Sequence, residues 1–188
     1  MNPLERMTAE AYRASYQGKR NRALGLKFEE IIDEACEHYR AMGLAYIEKT
    51  PEPMKVIGVL DRLRGIFKAV FEKAAQPDFK GTMQGGRAVV FEAKHTETDR
   101  IKQDAVTEAQ KNAMDLHETM GALCFVIVCL DNTYYRVPWA RWKTMKDDCG
   151  HKYMNAADLH PYKLGSWPGH LRFLEDTPTQ PKNTENRI

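Results

Sequence analysis

Asp78, Glu92 and Lys94 are the residues of this chain whose types and spacing could do chemistry together. They fall within Gln76-Pro77-Asp78-Phe79-Lys80-Gly81-Thr82-Met83-Gln84-Gly85-Gly86-Arg87-Ala88-Val89-Val90-Phe91-Glu92-Ala93-Lys94. Gly85-Gly86 is a turn signal between two short strand-like runs. Side chains alternate along a strand, so Val90, Glu92 and Lys94 share one face and Val89, Phe91 and Ala93 the other. Glu92 and Lys94 then stand about 7 Å apart, two strand rises. The hairpin partner brings Asp78 to the same end. Two carboxylates and an ammonium at the edge of an apolar sheet suit a divalent cation and an attacking water, the requirements for cutting a phosphodiester. The bland alternative is a surface salt-bridge cluster. Against it, Glu92 and Lys94 interrupt an apolar run, residues 88–91, that should be buried, and buried charges are costly unless they pair or bind metal.

The elements that must position these groups follow from hydrophobic spacing. Leu24, Phe28, Ile31, Ala35, Tyr39 and Met42 recur at steps of three and four, which predicts an amphipathic helix over 22–42, stopped by Gly43. Residues 45–48 read as a short strand, ended by Thr50-Pro51-Glu52-Pro53. Val56, Val59 or Leu60, Leu63, Phe67, Val70 and Phe71 suggest a helix in an insert over 54–76, decorated by Arg62, Arg64, Lys68 and Lys73. A basic face of that kind is more often an ordinary solvated surface than a nucleic-acid probe, but it directly precedes the hairpin. After a polar loop over 95–100, a helix is predicted over 101–120, with Ala105, Val106, Ala109, Ala113, Leu116 and Met120 as its buried stripe. Residues 122–130 are continuously apolar and read as a central strand buried on both faces. Asp131-Asn132 turns the chain into a strand over 133–137, and Pro138 opens a short helix carrying Trp139 and Trp142. Residues 150–174 look irregular, yet Leu159, Tyr162, Leu164, Trp167, Leu171 and Phe173 should pack on the core. The fold class is α/β: a mixed β-sheet flanked by helices.

A chain of 188 residues suffices for one domain with a real core. We read 1–20 as a flexible basic segment, 21–175 as a single domain and 176–188 as a disordered tail. Net charge is only +2, but residues 1–27 hold six basic residues against two acidic ones, so Lys19, Arg20 and Arg22 could sit against phosphates or simply be solvated. Cys36, Cys124, Cys129 and Cys149 form no Cys-x-x-Cys pair, which argues against a zinc framework and fits a reducing compartment. Cys149-Gly150-His151 lacks a second ligand pair. No apolar run is long enough to span a membrane and the N-terminus has no signal core, so a cytoplasmic location is expected, with no membrane partner.

Pro77-Asp78 with Glu92-Ala93-Lys94 resembles the PD-(D/E)xK nuclease superfamily. Asn21-Arg22, Gly25-x-x-Phe28-Glu29, the run Gly43 to Lys49 followed by Thr50-Pro51-x-Pro53, Asp78-Phe79-Lys80-Gly81, Phe91-Glu92-Ala93-Lys94 and Cys124-Phe125-Val126-Ile127 narrow it: together they resemble the RecU family of Holliday junction resolvases over roughly 20–145. The resemblance implies a restriction-endonuclease-like core with a stalk-like insert before the catalytic hairpin. It implies a homodimeric endonuclease that cuts four-way DNA junctions symmetrically with Mg²⁺, Mn²⁺ being an alternative, and a recombinase as a further partner. Asp78 and Glu92 match the metal-binding carboxylates, with the Ala93 carbonyl as a further ligand. Lys94 matches the lysine that positions or activates water. Glu29, with Glu30 as rival, matches an acidic residue of the first helix that approaches the metal, and Gln110 a glutamine near the site. A plain helix-surface amide is an equal reading of Gln110. Arg62 matches a basic stalk residue, with Arg64 competing. Lys19, Arg20, Arg22, Arg62, Arg64, Lys68 and Lys80 would hold backbone phosphates, contacts that position DNA without reading its sequence. Two other readings stay open: a duplex-cutting or nicking enzyme of the same superfamily, and a non-catalytic DNA-binding accessory protein of recombination.

Overall fold

The computed structural model describes residues 25, 27–71, 76–167 and 170–175. The expected flexible leader and disordered tail, and with them Lys19, Arg20 and Arg22, lie outside the described residues.

A five-stranded sheet forms the centre, in the order β1 (Ala45–Lys49), β4 (Phe79–Met83), β5 (Ala88–Thr96), β7 (Leu123–Leu130), β8 (Thr133–Pro138). The β5–β7 pair is parallel and the others antiparallel, so the sheet is mixed. One helix, α1, covers residues 27–41 and buries Phe28, Ile32, Ala35, Cys36 and Tyr39. These pack with Val89, Phe91, Phe125 and Ile127 on one face of the sheet. The other face carries Val90, Val126, Val128 and Met114, the last from α2 (Glu108–Thr119). Alternation along β5 and β7 therefore feeds two separate cores, and β7 is buried on both faces as its sequence implied. This is the expected mixed sheet flanked by helices.

A row of aromatic rings fixes the register on the α1 face. Phe79, Phe91 and Phe125 occupy directly opposed positions on β4, β5 and β7. Their rings stack at centroid distances of 4.9 and 4.8 Å, and Phe173 tilts onto Phe91 at 5.2 Å. A one-residue slip would turn every one of these rings to the wrong face. The same pinning holds the residues next along, Asp78 and Glu92, opposite each other on the reverse face.

Gly81 lets β1 approach β4. A Cβ there would lie 2.1 Å from the Tyr46 carbonyl oxygen and 2.6 Å from Ile47 Cα, backbone that can yield only if the strands part. Gly81→Ala is therefore expected to cost about 3 kcal/mol or more, read as a lowered midpoint in urea. Unchanged stability would mean that β1 does not lie this close.

Two sequence expectations are corrected. The insert is not a helix but a ribbon, β2 (Met54–Asp61) paired antiparallel with β3 (Ile66–Phe71) and separate from the main sheet. The Asp61 carboxylate caps its turn by accepting from the backbone N–H groups of Leu63 at 3.0 Å and Arg64 at 3.1 Å. β-Branched and aromatic residues fill both of its strands, and their preference for extended backbone outweighs the approximate helical spacing. The helix expected over 101–120 begins only at Glu108. Before it, β6 (Arg100–Lys102) pairs with β9 (Tyr153–Asn155), a long-range contact that takes Ile101 into the core as a strand residue. The short helix expected after Pro138 is α3 (Trp139–Lys143), followed by α4 (Met145–Cys149), and the stretch over 150–174 is more regular than expected, with β9, α5 (Ala156–Leu159), β10 (Ser166–Trp167) and β11 (His170–Leu171). Leu159, Leu171 and Phe173 are buried, as their apolar character required.

Candidate active site

Glu92 is the decisive residue: it is 0 % exposed, in the middle of a sheet and facing α2. Its Oε2 accepts from Lys94 Nζ at 2.7 Å and from Gln110 Nε2 at 2.8 Å. Its Oε1 is buried with no donor among the described residues. Burial pushes the carboxyl up to about 8; the Lys94 ammonium opposes the rise, while the Asp78 carboxylate, within hydrogen-bonding reach, adds to it. A buried carboxylate left short of a donor is a group waiting for a positive partner.

Asp78 closes the site from the adjoining strand. Its Oδ2 accepts from the Ala93 backbone N–H at 2.9 Å, a donor that β4 leaves free by starting at Phe79. The Asp78 carbonyl accepts from Thr50 N at 2.8 Å, which ties it to the end of β1. Lys94 Nζ lies 3.7 Å from Asp78 Oδ2, so the ammonium bridges the two carboxylates. Asp78 is 29 % and Lys94 18 % exposed, so the cluster opens to solvent on their side while Glu92 forms its floor.

Gln110 joins them because of the way α2 starts. Thr107 is its N-cap, and Gln110 stands at the third position of a capping box, its Oε1 accepting from Thr107 N at 3.1 Å. With the amide oxygen thus occupied, Nε2 is aimed at Glu92. The residue is a helix cap and a site residue at once. Gln110→Ala should cost about 1 kcal/mol in helix capping and, by removing a donor to the charged form, push the Glu92 carboxyl higher still. A thermal melt and a pH–rate profile with its rising limb moved to higher pH would show both; an unmoved profile would leave Gln110 a cap alone.

This geometry sits inside a recognisable sequence. The family model for RecU, recombination protein U, matches residues 23–168. The chain belongs to the RecU family. It is similar to the Holliday junction resolvase RecU of Bacillus pumilus, 30% identical over 118 residues, or 61% of this chain and 57% of that one. It is also 28% identical over 155 residues to the Holliday junction resolvase RecU of Streptococcus pneumoniae, covering 77% of this chain and 78% of that one. The first match thus spans little more than half of that relative's length. Among solved structures, Archaeoglobus fulgidus Hjc, a Holliday junction resolvase, aligns over 72% of this chain and 91% of its own at 11% identity and a TM-score of 0.45. At that score the likeness carries no functional weight.

Within this RecU-family chain, then, Asp78, Glu92, Lys94 and Gln110 come together, and Ala93 joins them through its N–H. Glu29 is placed differently. It lies on α1, which packs on the Phe91 side of the sheet, and it is ion-paired with Lys49 of β1. The Lys49 ammonium is held above its usual range, first by the Glu29 carboxylate that accepts its hydrogen bond and more weakly by Asp33 and Asp78. Lys49, which lies within a motif of the resemblance, thus pairs with Glu29 and feels the Asp78 charge more weakly. It ends β1 immediately before Thr50, the residue bonded to Asp78. Among the described residues, no three His, Cys, Asp or Glu side chains converge as an ion-holding group.

The expected phosphate-holding residues are dispersed. Arg62 is exposed in the ribbon turn, Arg64 pairs with Asp61 at 3.7 Å, and Lys68 is exposed on β3. Lys80, on β4 beyond Asp78, donates to Gln76 Oε1 at 2.9 Å.

Proposed function

We propose that this chain is a metal-dependent endonuclease that resolves four-way (Holliday) DNA junctions in recombination and repair by paired symmetrical cuts, acting as a homodimer in the cytoplasm. The observation that carries the reading is the buried Glu92 carboxylate facing Asp78 across adjoining strands with Lys94 between them.

The residues present fit a hard divalent cation. Glu92 Oε1 is a buried acceptor without a donor among the described residues, and Asp78 presents a second carboxylate beside it. Mg²⁺ commonly takes only one or two protein carboxylates, completing its shell with water and substrate phosphate oxygens, so a two-carboxylate site suffices. Asp78 and Glu92 would hold it, with the Ala93 carbonyl as a further oxygen. When bound, the cation lowers the pKa of a water and neutralises charge on the phosphate.

The chain's own groups do the rest. The Ala93 N–H fixes Asp78 Oδ2, and Gln110 fixes Glu92 Oε2, so each carboxylate has one oxygen held by a donor of the chain. Lys94, tethered to both, is placed to orient the attacking water or to hold negative charge developing on the phosphate. The β2–β3 ribbon exposes Val56, Leu60, Phe67 and Phe71, and its Leu63 is 100% exposed. A bare two-stranded ribbon of that composition is only marginally stable in water, which supports its being covered in a dimer or at the centre of a junction. Among the described residues no helix is long and apolar enough to cross a membrane.

The test is to incubate the protein with a synthetic four-way junction and with linear duplex, in Mg²⁺ or EDTA. Paired nicks at symmetrical positions on the junction, absent in EDTA, are expected. Cuts on linear duplex would make it a duplex nuclease, and tight binding without cuts in any divalent ion would make it an accessory protein.

A further inference from the structure

The site does not end at Lys94. Strand β5 continues through His95 and Thr96, and Thr96, two residues on, lies about 6.6 Å farther along the Glu92–Lys94 face. There the chain opens into a cleft of about 680 Å³, large enough for a nucleotide, lined by His95, Thr96, Arg100, Lys102, Asp104 and Tyr153 among others.

Its wall is built by a short ribbon with two unlike faces. Ile101 and Met154 are opposed on β6 and β9 and both are buried. Alternation puts Arg100, Lys102 and Tyr153 on the other face, toward the cleft. The Arg100 guanidinium lies over the Tyr153 ring at 5.0 Å, and His151 stacks on the same ring at 3.8 Å. Arg100 Nε donates to Asp99 at 3.0 Å. Stacking and that single bond hold the guanidinium plane still, and its two terminal nitrogens donate to no described residue although the side chain is 47 % exposed. A held planar fork with free donors matches the geometry of a phosphate. Lys102 supplies a second cation on the same wall, and exposed Asp99 and Asp104 are the carboxylates of the lining that oppose them.

We propose that this cleft binds the DNA backbone phosphate next to the scissile one, with Arg100 and Lys102 as its ligands. They act as positioning residues, setting how the strand runs past Lys94. The proposal rests on the reading of Asp78, Glu92 and Lys94 as the cutting site, because that reading supplies the strand's path.

Binding of the full-length protein to a fluorescent four-way junction in EDTA, titrated with salt, tests it without cutting. Arg100→Ala combined with Lys102→Ala is expected to weaken binding about tenfold and to flatten the slope of log affinity against log salt by about 2, one per lost phosphate contact. Asp104→Asn should tighten binding about twofold by removing a like charge, a gain that misfolding cannot mimic. A single neutral methylphosphonate beside the cut position should weaken the wild-type protein and leave the double variant indifferent. An unchanged slope in the double variant, weaker binding by Asp104→Asn, or equal sensitivity of both proteins to that methylphosphonate would overturn the proposal. Failure of the nuclease reading would look different: the wild-type protein would not cut in Mg²⁺, while the salt slopes would still report whether the cleft holds phosphate.

Discussion

Asp78→Asn and Lys94→Ala each lower the single-turnover rate of junction cleavage roughly a thousandfold or more, while junction affinity in EDTA stays within about twofold. The two halves of this expectation have separate causes. Among the described residues the Asp78 carboxylate accepts one backbone hydrogen bond, from Ala93, and an asparagine oxygen can keep it. What the substitution removes is charge, the property a cation requires. Among the described residues the Lys94 ammonium is ion-paired with Asp78 and Glu92. Its loss leaves Glu92 without its cation, and Glu92 can then take up a proton, as its already raised titration allows. The fold therefore survives and the chemistry does not. Affinity of a protein for DNA generally comes from many phosphate contacts, so removing one partly buried ammonium should change it little. Gel-resolved cleavage and fluorescence anisotropy measure the two quantities on the same samples. A collapse of binding alongside cleavage would mark these residues as supports of the fold.

How much of this was open to view before the structure depends on which residues one asks about. The Asp78–Glu92 pairing was legible because strand alternation and a Gly-Gly turn leave few registers, and the aromatic residues Phe79 and Phe91 select one of them. The double-sided burial of β7 was legible from its unbroken apolar run. The ribbon over 54–71 was not. Both of its faces are exposed, so no core-facing stripe constrains its pattern, and scattered apolar residues then fit a helix as well as a strand. Its β-branched and aromatic composition, and the Arg64-Gly65 turn, were the better guides. Residues 100–106 misled for another reason: Ile101 and Val106 are both buried, but Ile101 is buried through pairing with Met154, more than fifty positions later, which no local period encodes. Glu29 shows the limit for sites. Helical spacing correctly turned its helix toward a core, but which side of the sheet that helix covers is decided by topology. The helix lies on the Phe91 side, and Glu29 meets Lys49 first.

Glu92→Gln carries the second large expectation, with opposite signs for stability and activity. The Glu92 carboxyl titrates at about 8 in the folded chain against an ordinary value of 4.5, chiefly because it is buried. An acid whose folded pKa is raised holds its proton more tightly when folded. Its contribution to stability is therefore complete below the ordinary value and is lost as pH rises through about 8. Each pH unit in that window removes up to about 1.4 kcal/mol. Glutamine has the same shape, can still accept from Lys94 and needs no proton. In metal-free buffer at pH 8–9, Glu92→Gln should thus be more stable than the wild-type chain by roughly 2–4 kcal/mol, and the two should converge near pH 4–5. Urea titrations at several pH values in EDTA measure this. The same substitution should reduce cleavage at least as far as Asp78→Asn, because the charge that destabilises the empty site is the charge the cation needs. A variant that is less stable at every pH would show that the Glu92 charge is well compensated within the chain, and would remove the physical reason for a cation there.

Two carboxylates from adjoining strands should share one ion, and anomalous diffraction from crystals grown with Mn²⁺ at pH 8 tests that most directly. The expected result is a single anomalous peak within bonding distance of both Asp78 and Glu92, absent in Asp78→Asn crystals. Saturating Mn²⁺ with no peak between them, or an ion bound elsewhere while Lys94 still bridges the two carboxylates, would contradict it.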